Sequence, residues 1–147
     1  MQRLKQFLFP VIVILGVAGY AFVNRMPAAG AEYRYEGDPE VVAATFASAW
    51  CSSCKILMPR LARVIPDFAD QPVKFVELDF TFGERKEIEQ LAAAEGLAKI
   101  YPQFKGATGF TVLVDRDTGE IIDTLTINHS GKAMRAAIAQ AIARASQ

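Results

Sequence analysis

Apolar positions divide the chain into stretches of different period. Phe7 to Val23 form an uncharged run with no polar face, preceded by Arg3 and Lys5 and followed by Asn24-Arg25. A spanning helix needs about 20 apolar residues, with about 17 at the short end. Pro10 falls in the first turn, where a missing N–H costs least. Two outcomes stay open: an uncleaved membrane anchor through residues 7–23, or a signal peptide cut after Ala29-Gly30-Ala31. Arg3, Lys5 and the N-terminal amine hold that end in the cytoplasm, with Arg25 pulling the other way. Either outcome carries residues 32–147 across the membrane. The chain therefore reads as residues 1–25 for the anchor or signal, 26–39 for a linker and first edge segment, and 40–147 for a folded domain.

Within that domain the periods change again. Glu40 to Phe46 is short and almost wholly apolar, as in a strand buried on both faces. From Cys54 onward, Ile56, Leu57, Leu61, Val64, Ile65 and Phe68 recur at helical steps, with Pro59 inside the helix and Pro66 near its end. Val73–Asp79 predicts a second strand. Thr81-Phe-Gly-Glu84 has the form of a capping box, opening a helix that turns Ile88, Leu91 and Ala92 inward and stops at Gly96. Residues 97–109 make an irregular or short helical connector around Tyr101-Pro102. Phe110–Asp115 and Glu120–Thr126 predict strands joined by a turn at Arg116-Asp-Thr-Gly119. Ser130 can cap a last helix with Met134, Ala137, Ile138, Ala141 and Ile142 in one stripe. Two βα units feeding an antiparallel pair define an α/β sandwich.

Composition narrows the function classes. The 147-residue chain has 16 basic and 16 acidic residues, so no charge excess points to nucleic acid. With 2 cysteines and 1 histidine, His129, it can build neither a disulfide framework nor a four-ligand zinc site. No metal or cofactor is called for, and His129 reads as a surface or capping residue ahead of the last helix.

The candidate chemistry lies in Trp50-Cys51-Ser52-Ser53-Cys54-Lys55, at the strand-to-helix junction. Free N–H groups and the dipole at a helix start favour a thiolate on Cys51, and such sites bring a thiol from about 8.5 into the range of roughly 3.5–7.5. The thiolate can attack a disulfide to give a mixed disulfide, which Cys54, one turn in, then resolves. Trp50 would pack beside the thiol and limit access. A structural disulfide closing so short a loop, and a two-thiolate half of a copper site, are the competing readings.

The stretch from Ala44 to Pro59, with Trp-Cys-x-x-Cys-Lys at 50–55 and a proline five residues past the second cysteine, resembles thioredoxins. The order of elements extends the resemblance over residues 40–145. It implies a thioredoxin-like three-layer sandwich around a central mixed sheet, here preceded by a hydrophobic N-terminal helix. It also implies Cys51 as attacking and Cys54 as resolving thiol. An anchored, exported chain of this kind looks like the extracytoplasmic thioredoxin-like proteins of bacteria, with the domain in the periplasm. Its expected partners are protein thiols or disulfides of the cell envelope and a membrane electron donor.

Four departures qualify that resemblance. Phe110, ahead of Thr111, stands where the family has a cis-proline, and a trans bond is expected because a non-proline cis bond costs about 2.5–4 kcal/mol. Phe110 and Thr111 are thus supporting residues of the site, with substrate docking the property they alter. Thr45 and Phe75 replace the family's buried aspartate and lysine, leaving Glu77 as a substitute proton acceptor or a solvated strand-edge charge. Ser52-Ser53 replaces Gly-Pro. The connection from Asp79 to Gly109 is about twice the family length. The function expected is thiol–disulfide exchange on exported proteins, in either direction; the alternative is a redox-sensing or copper-binding module without turnover.

Overall fold

The computed structural model describes residue 35, residues 37–82 and residues 85–147. The apolar run 7–23, the candidate cleavage site and Glu84 of the capping box lie outside those residues. Among the described residues no helix is long and apolar enough to cross a membrane.

Strand β1, Val41–Ala47, is buried along its whole length. It pairs in parallel with β2, Val73–Asp79, and antiparallel with β3, Phe110–Asp115. Strand β4, Ile121–Leu125, pairs antiparallel with β3, giving the order β2-β1-β3-β4. A strand with neighbours on both edges and helices over both faces must be apolar on both sides, which is why β1 reads as a continuous run rather than an alternation.

Helix α1 spans Cys54–Ala62 and a 3-10 turn follows at Ile65–Phe68. Helix α2 is Arg85–Ala94, the single turn α3 is Tyr101–Phe104, and α4 is Gly131–Ala145. Leu57, Leu61 and Val64 join Met134, Ile138 and Ala141 of α4 against one face of the sheet, through Val41, Ala43, Leu113 and Leu125. On the other face, Ile88, Ala92, Leu97, Ile100 and Tyr101 cover Val42, Ala44, Phe46, Leu78 and Val112. These are the three layers expected from the sequence, with the mixed sheet between.

Several expectations need correction. The helical run after Cys54 ends at Ala62, and Pro66 opens the 3-10 turn instead of closing a long helix. Its fixed φ and missing N–H suit a first-turn position and oppose an interior one. Ile56 and Leu91 face solvent at 45% and 41% exposure. Both lie at helical spacing from true core residues, and only Ile88 and Ala92 of the second helix reach the core. Thr81 Oγ1 donates to Asp79 Oδ1 and accepts the Ala49 N–H, and its capping-box partner Glu84 lies outside the described residues. Ser130 does cap α4, accepting the Ala133 N–H at 3.2 Å. His129 Nδ1 accepts the Thr126 N–H at 3.1 Å, closing the loop ahead of α4.

Replacing the fully buried Ile138 by Ala should lower the unfolding free energy by about 3 kcal/mol through transfer and cavity terms. Ser130→Ala, which orphans one N–H, should cost about 1 kcal/mol. Urea denaturation of both variants checks the pair.

Candidate active site

Strand β1 delivers the chain to the site. Past Ala47 a tight loop begins, in which the Cys51 N–H donates to the Ser48 carbonyl at 3.1 Å. Helix α1 starts at Cys54, with Ser53 as an N-cap whose hydroxyl makes no cap bond. The resolving position is thus the first helical residue and not one turn in. The uncapped end turns its donors on Cys51 instead: the Cys54 N–H points at Cys51 Sγ at 3.2 Å, and the Lys55 N–H reaches the Cys51 carbonyl at 3.4 Å. This is the helix-start environment read from the sequence, with the sulfur in the place of a capping oxygen.

Both cysteines are free thiols, Cys51 half-buried and Cys54 buried. Burial pushes the Cys51 thiol up. Hydrogen bonds from the Cys54 thiol, the Thr108 hydroxyl and the N–H groups of Cys54 and Ser53 outweigh it, so the net shift is below the ordinary thiol value. Cys54 shifts the opposite way, raised by burial first and then by the hydrogen bond to, and charge of, Cys51. Its sulfur lies 4.0 Å from the Phe46 carbonyl. One thiol is therefore poised to ionise and the other to stay protonated, an asymmetry that separates an attacking from a resolving role.

The other residues flagged in the sequence scatter around this pair. Trp50 is 74% exposed and meets Phe82 edge-on at 6.1 Å; it forms an aromatic step on the surface rather than a cover. Lys55 is exposed and lines a cavity of about 330 Å³ with Cys54, Met58, Pro59, Glu77 and Asp79. Glu77, though solvent-facing at its tip, has its carboxyl raised by burial and then by the nearby Asp79 charge. Asp79 accepts the Thr81 N–H at 2.8 Å, and Thr81 Oγ1 accepts the Ala49 N–H at 2.7 Å, so this threonine ties the end of β2 to the CxxC loop.

Phe110 turns away from the thiols. Its ring stacks on Phe46 at 5.1 Å and meets Phe104 at 5.2 Å on the far face of the sheet. The bond before it is trans, with no cis peptide among the described residues. Thr111 points the other way, and its buried hydroxyl shares a hydrogen bond of 2.8 Å with Thr45. The family's buried carboxyl is thus replaced by a neutral pair of hydroxyls that satisfy each other. From the segment just ahead of β3, Gly109 lies against Cys51 Sγ and Ser53, and the sequence reading gave it no role. A glycine immediately before the strand that faces the CxxC was the available signal.

The fold and the dithiol define a protein built for thiol–disulfide chemistry. The thioredoxin family model matches residues 34–117, and the chain belongs to the thioredoxin family. A search of curated protein sequences finds no match. Among solved structures the chain is similar to DsbH oxidoreductase, at 18% identity and TM-score 0.54, over 80% of this chain and 89% of that one. It is also similar to StoA from Bacillus subtilis, at 16% identity and TM-score 0.47, over 69% and 84% of the two chains. A thiol:disulfide interchange protein from Chlorobium tepidum matches at 15% identity and TM-score 0.48, over 71% and 81%. At 18% identity the DsbH likeness bears on the fold alone.

With both thiols reduced, iodoacetamide should label Cys51 first, with a rate midpoint below that of an ordinary thiol, while Cys54 resists to higher pH. Mass spectrometry of each cysteine across pH reads this out. A second prediction concerns Glu77. A carboxyl raised in the folded state favours folding below its unfolded pKa, and that benefit is lost as pH rises through the folded value. Glu77→Gln should therefore stabilise the protein at neutral pH, within about 0.5 kcal/mol for so exposed a group, and the gain should vanish below the usual carboxylate range.

Proposed function

We propose that this protein is a thiol–disulfide oxidoreductase acting on protein disulfides outside the cytoplasm, with residues 7–23 as its membrane anchor and 40–147 as the catalytic domain. The observation that carries the reading is the opposed shift of the two thiols, Cys51 down and Cys54 up, across one N–H···S contact of 3.2 Å. The Cys51 thiolate attacks a substrate disulfide, forming a mixed disulfide and releasing one substrate thiolate. Cys54 then gives up its proton and attacks Cys51 Sγ, closing the Cys51–Cys54 disulfide and expelling the second substrate thiolate, which takes up a proton. The substrate gains two electrons and the dithiol loses two; the reverse sequence oxidises a substrate dithiol. Which way it runs is set by the potential of the couple against its partners, and a reductase in an oxidising compartment needs a membrane electron donor.

One feature favours a second reading. The Thr45–Thr111 pair puts two mutually satisfied hydroxyls where the family has its buried carboxyl, which suits a redox sensor or a two-thiolate copper holder that does not turn over. Sub-stoichiometric chain catalysing reduction of a model disulfide would exclude that reading; one equivalent of Cu(I) held without turnover would favour it.

Cys54→Ala removes the resolving thiol and should trap covalent complexes through Cys51 in envelope fractions, visible on non-reducing gels and dissolved by reductant. Cys51→Ala should trap none. A Cys54→Ala protein that captures nothing would sink the oxidoreductase reading.

A further inference from the structure

Away from the thiols, the end of α1 and the start of α4 border a second cavity, of about 570 Å³, lined by the three arginines Arg60, Arg63 and Arg135. It shares no lining residue with the cavity at Cys54. Among the described residues these three guanidinium groups meet a single carboxylate. Arg135 Nε donates to Asp67 Oδ2 at 2.5 Å, and its Nη2 donates to the Arg63 carbonyl at 3.4 Å. Arg60, half-buried, donates Nη1 to the Ile127 and His129 carbonyls at 2.6 and 3.3 Å. Those bonds fix its direction and leave its charge uncompensated. Arg63 has no acidic partner among the described residues.

Left to itself, this arrangement is repulsive. Like charges around one cavity raise its energy, and the first turn of α4, whose Gly131 also lines the cavity, holds no acidic residue to offset them. Arg135 instead folds back over that turn, so that a Cβ on Gly131 would lie 3.3 Å from Arg135 Nη1. A cation there opposes the positive end of the helix dipole. Three guanidinium groups set against Asp67 leave two positive charges uncompensated. That is the charge of a phosphomonoester dianion, whose three terminal oxygens suit the forked donors of arginine. We propose that this cavity binds a phosphomonoester, its phosphate held by Arg60, Arg63 and Arg135. Val64 and Ile127 supply apolar wall beside them, where the organic part of the ester lies. A soluble ester and the headgroup of phosphatidic acid present the same phosphate to these arginines.

The experiment titrates glycerol 3-phosphate into the full-length chain, held in neutral detergent and phosphate-free buffer, and follows the heat. Wild type should bind one equivalent, more tightly as pH rises through about 6, where a phosphomonoester takes its second charge. Arg63→Gln removes an exposed guanidinium and should weaken binding about tenfold, the loss expected for one hydrogen bond to a charged group. Arg60→Gln should weaken it as much; should that variant unfold, the exposed Arg63 still carries the test. Arg144→Gln takes one charge from the last turn of α4 and should leave the affinity unchanged. Unaltered affinity in Arg63→Gln overturns the site, and so does a wild-type chain that binds nothing. An equal loss in Arg144→Gln also overturns it, because general attraction of anions would then be at work. In a second arm the micelles carry phosphatidic acid or, as an anionic diester control, phosphatidylglycerol. Competition by phosphatidic acid alone identifies the ester as a lipid headgroup, and no competition identifies it as a soluble one. An unchanged thermal midpoint reports that each variant is folded.

Discussion

The carbonyl of Phe46, near the end of β1, is the point on which the site depends. It accepts the Gly109 N–H at 2.8 Å and lies 4.0 Å from Cys54 Sγ. One backbone oxygen at the end of a fully buried strand thus positions the β3 approach and borders the resolving thiol. Strand β1 can serve this way because both its faces are packed and both its edges are paired. It has no freedom to shift register without moving its apolar set out of two cores at once. The Phe46 ring, on the far face, is packed among Phe80, Phe104 and Phe110, so the rigidity reaches the loop that carries Thr108.

Much of this arrangement was legible in the chain, and the reasons differ by element. Strands β2 and β3 lie where their runs of branched and aromatic residues put them, Val73–Asp79 and Phe110–Asp115. The cap at Ser130 follows from local chemistry that needs no tertiary information. Ile56 and Leu91 misled because helical spacing defines a stripe but not its width, and the edge of a stripe is settled by what packs over it. Trp50 misled for a related reason: an aromatic beside a thiol reads as a cover, whereas its ring found Phe82, remote in sequence. The helix start was displaced from Cys51 to Cys54, yet its electrostatic consequence survived, since the N–H that would have met a cap oxygen meets the sulfur instead.

The roles of Phe110 and Gly109 could not be separated from sequence, because alternation in a strand reverses with a shift of one residue. Attention to the expected proline position fell on Phe110, whose side chain faces the aromatic core, while the residue before it faces Cys51. Proline and glycine at the entry of this strand solve different problems. A proline fixes φ and removes a donor; here Gly109 keeps its N–H and spends it on Phe46, while the absent side chain brings the backbone onto the sulfur. The strand entry is thereby tied to the nucleophile's own framework.

Thr45 and Thr111 complete this division of labour. Strand register lines up Glu77, Thr45 and Thr111 across β2, β1 and β3, and the two hydroxyls share their bond with each other. Two hydroxyls that satisfy one another in the core cost little and titrate nowhere near neutral pH, so they add no charge beneath the thiols. Control of ionisation then falls to groups at the rim: the helix-start N–H groups and Thr108 acting on Cys51, and burial acting on Cys54. Placing charge control on Cys51 in neutral donors leaves Glu77 and Asp79 as the carboxyls that share a cavity with Cys54, and Glu77, raised by burial, as the one whose titration joins that of the two thiols in the pH response of the site.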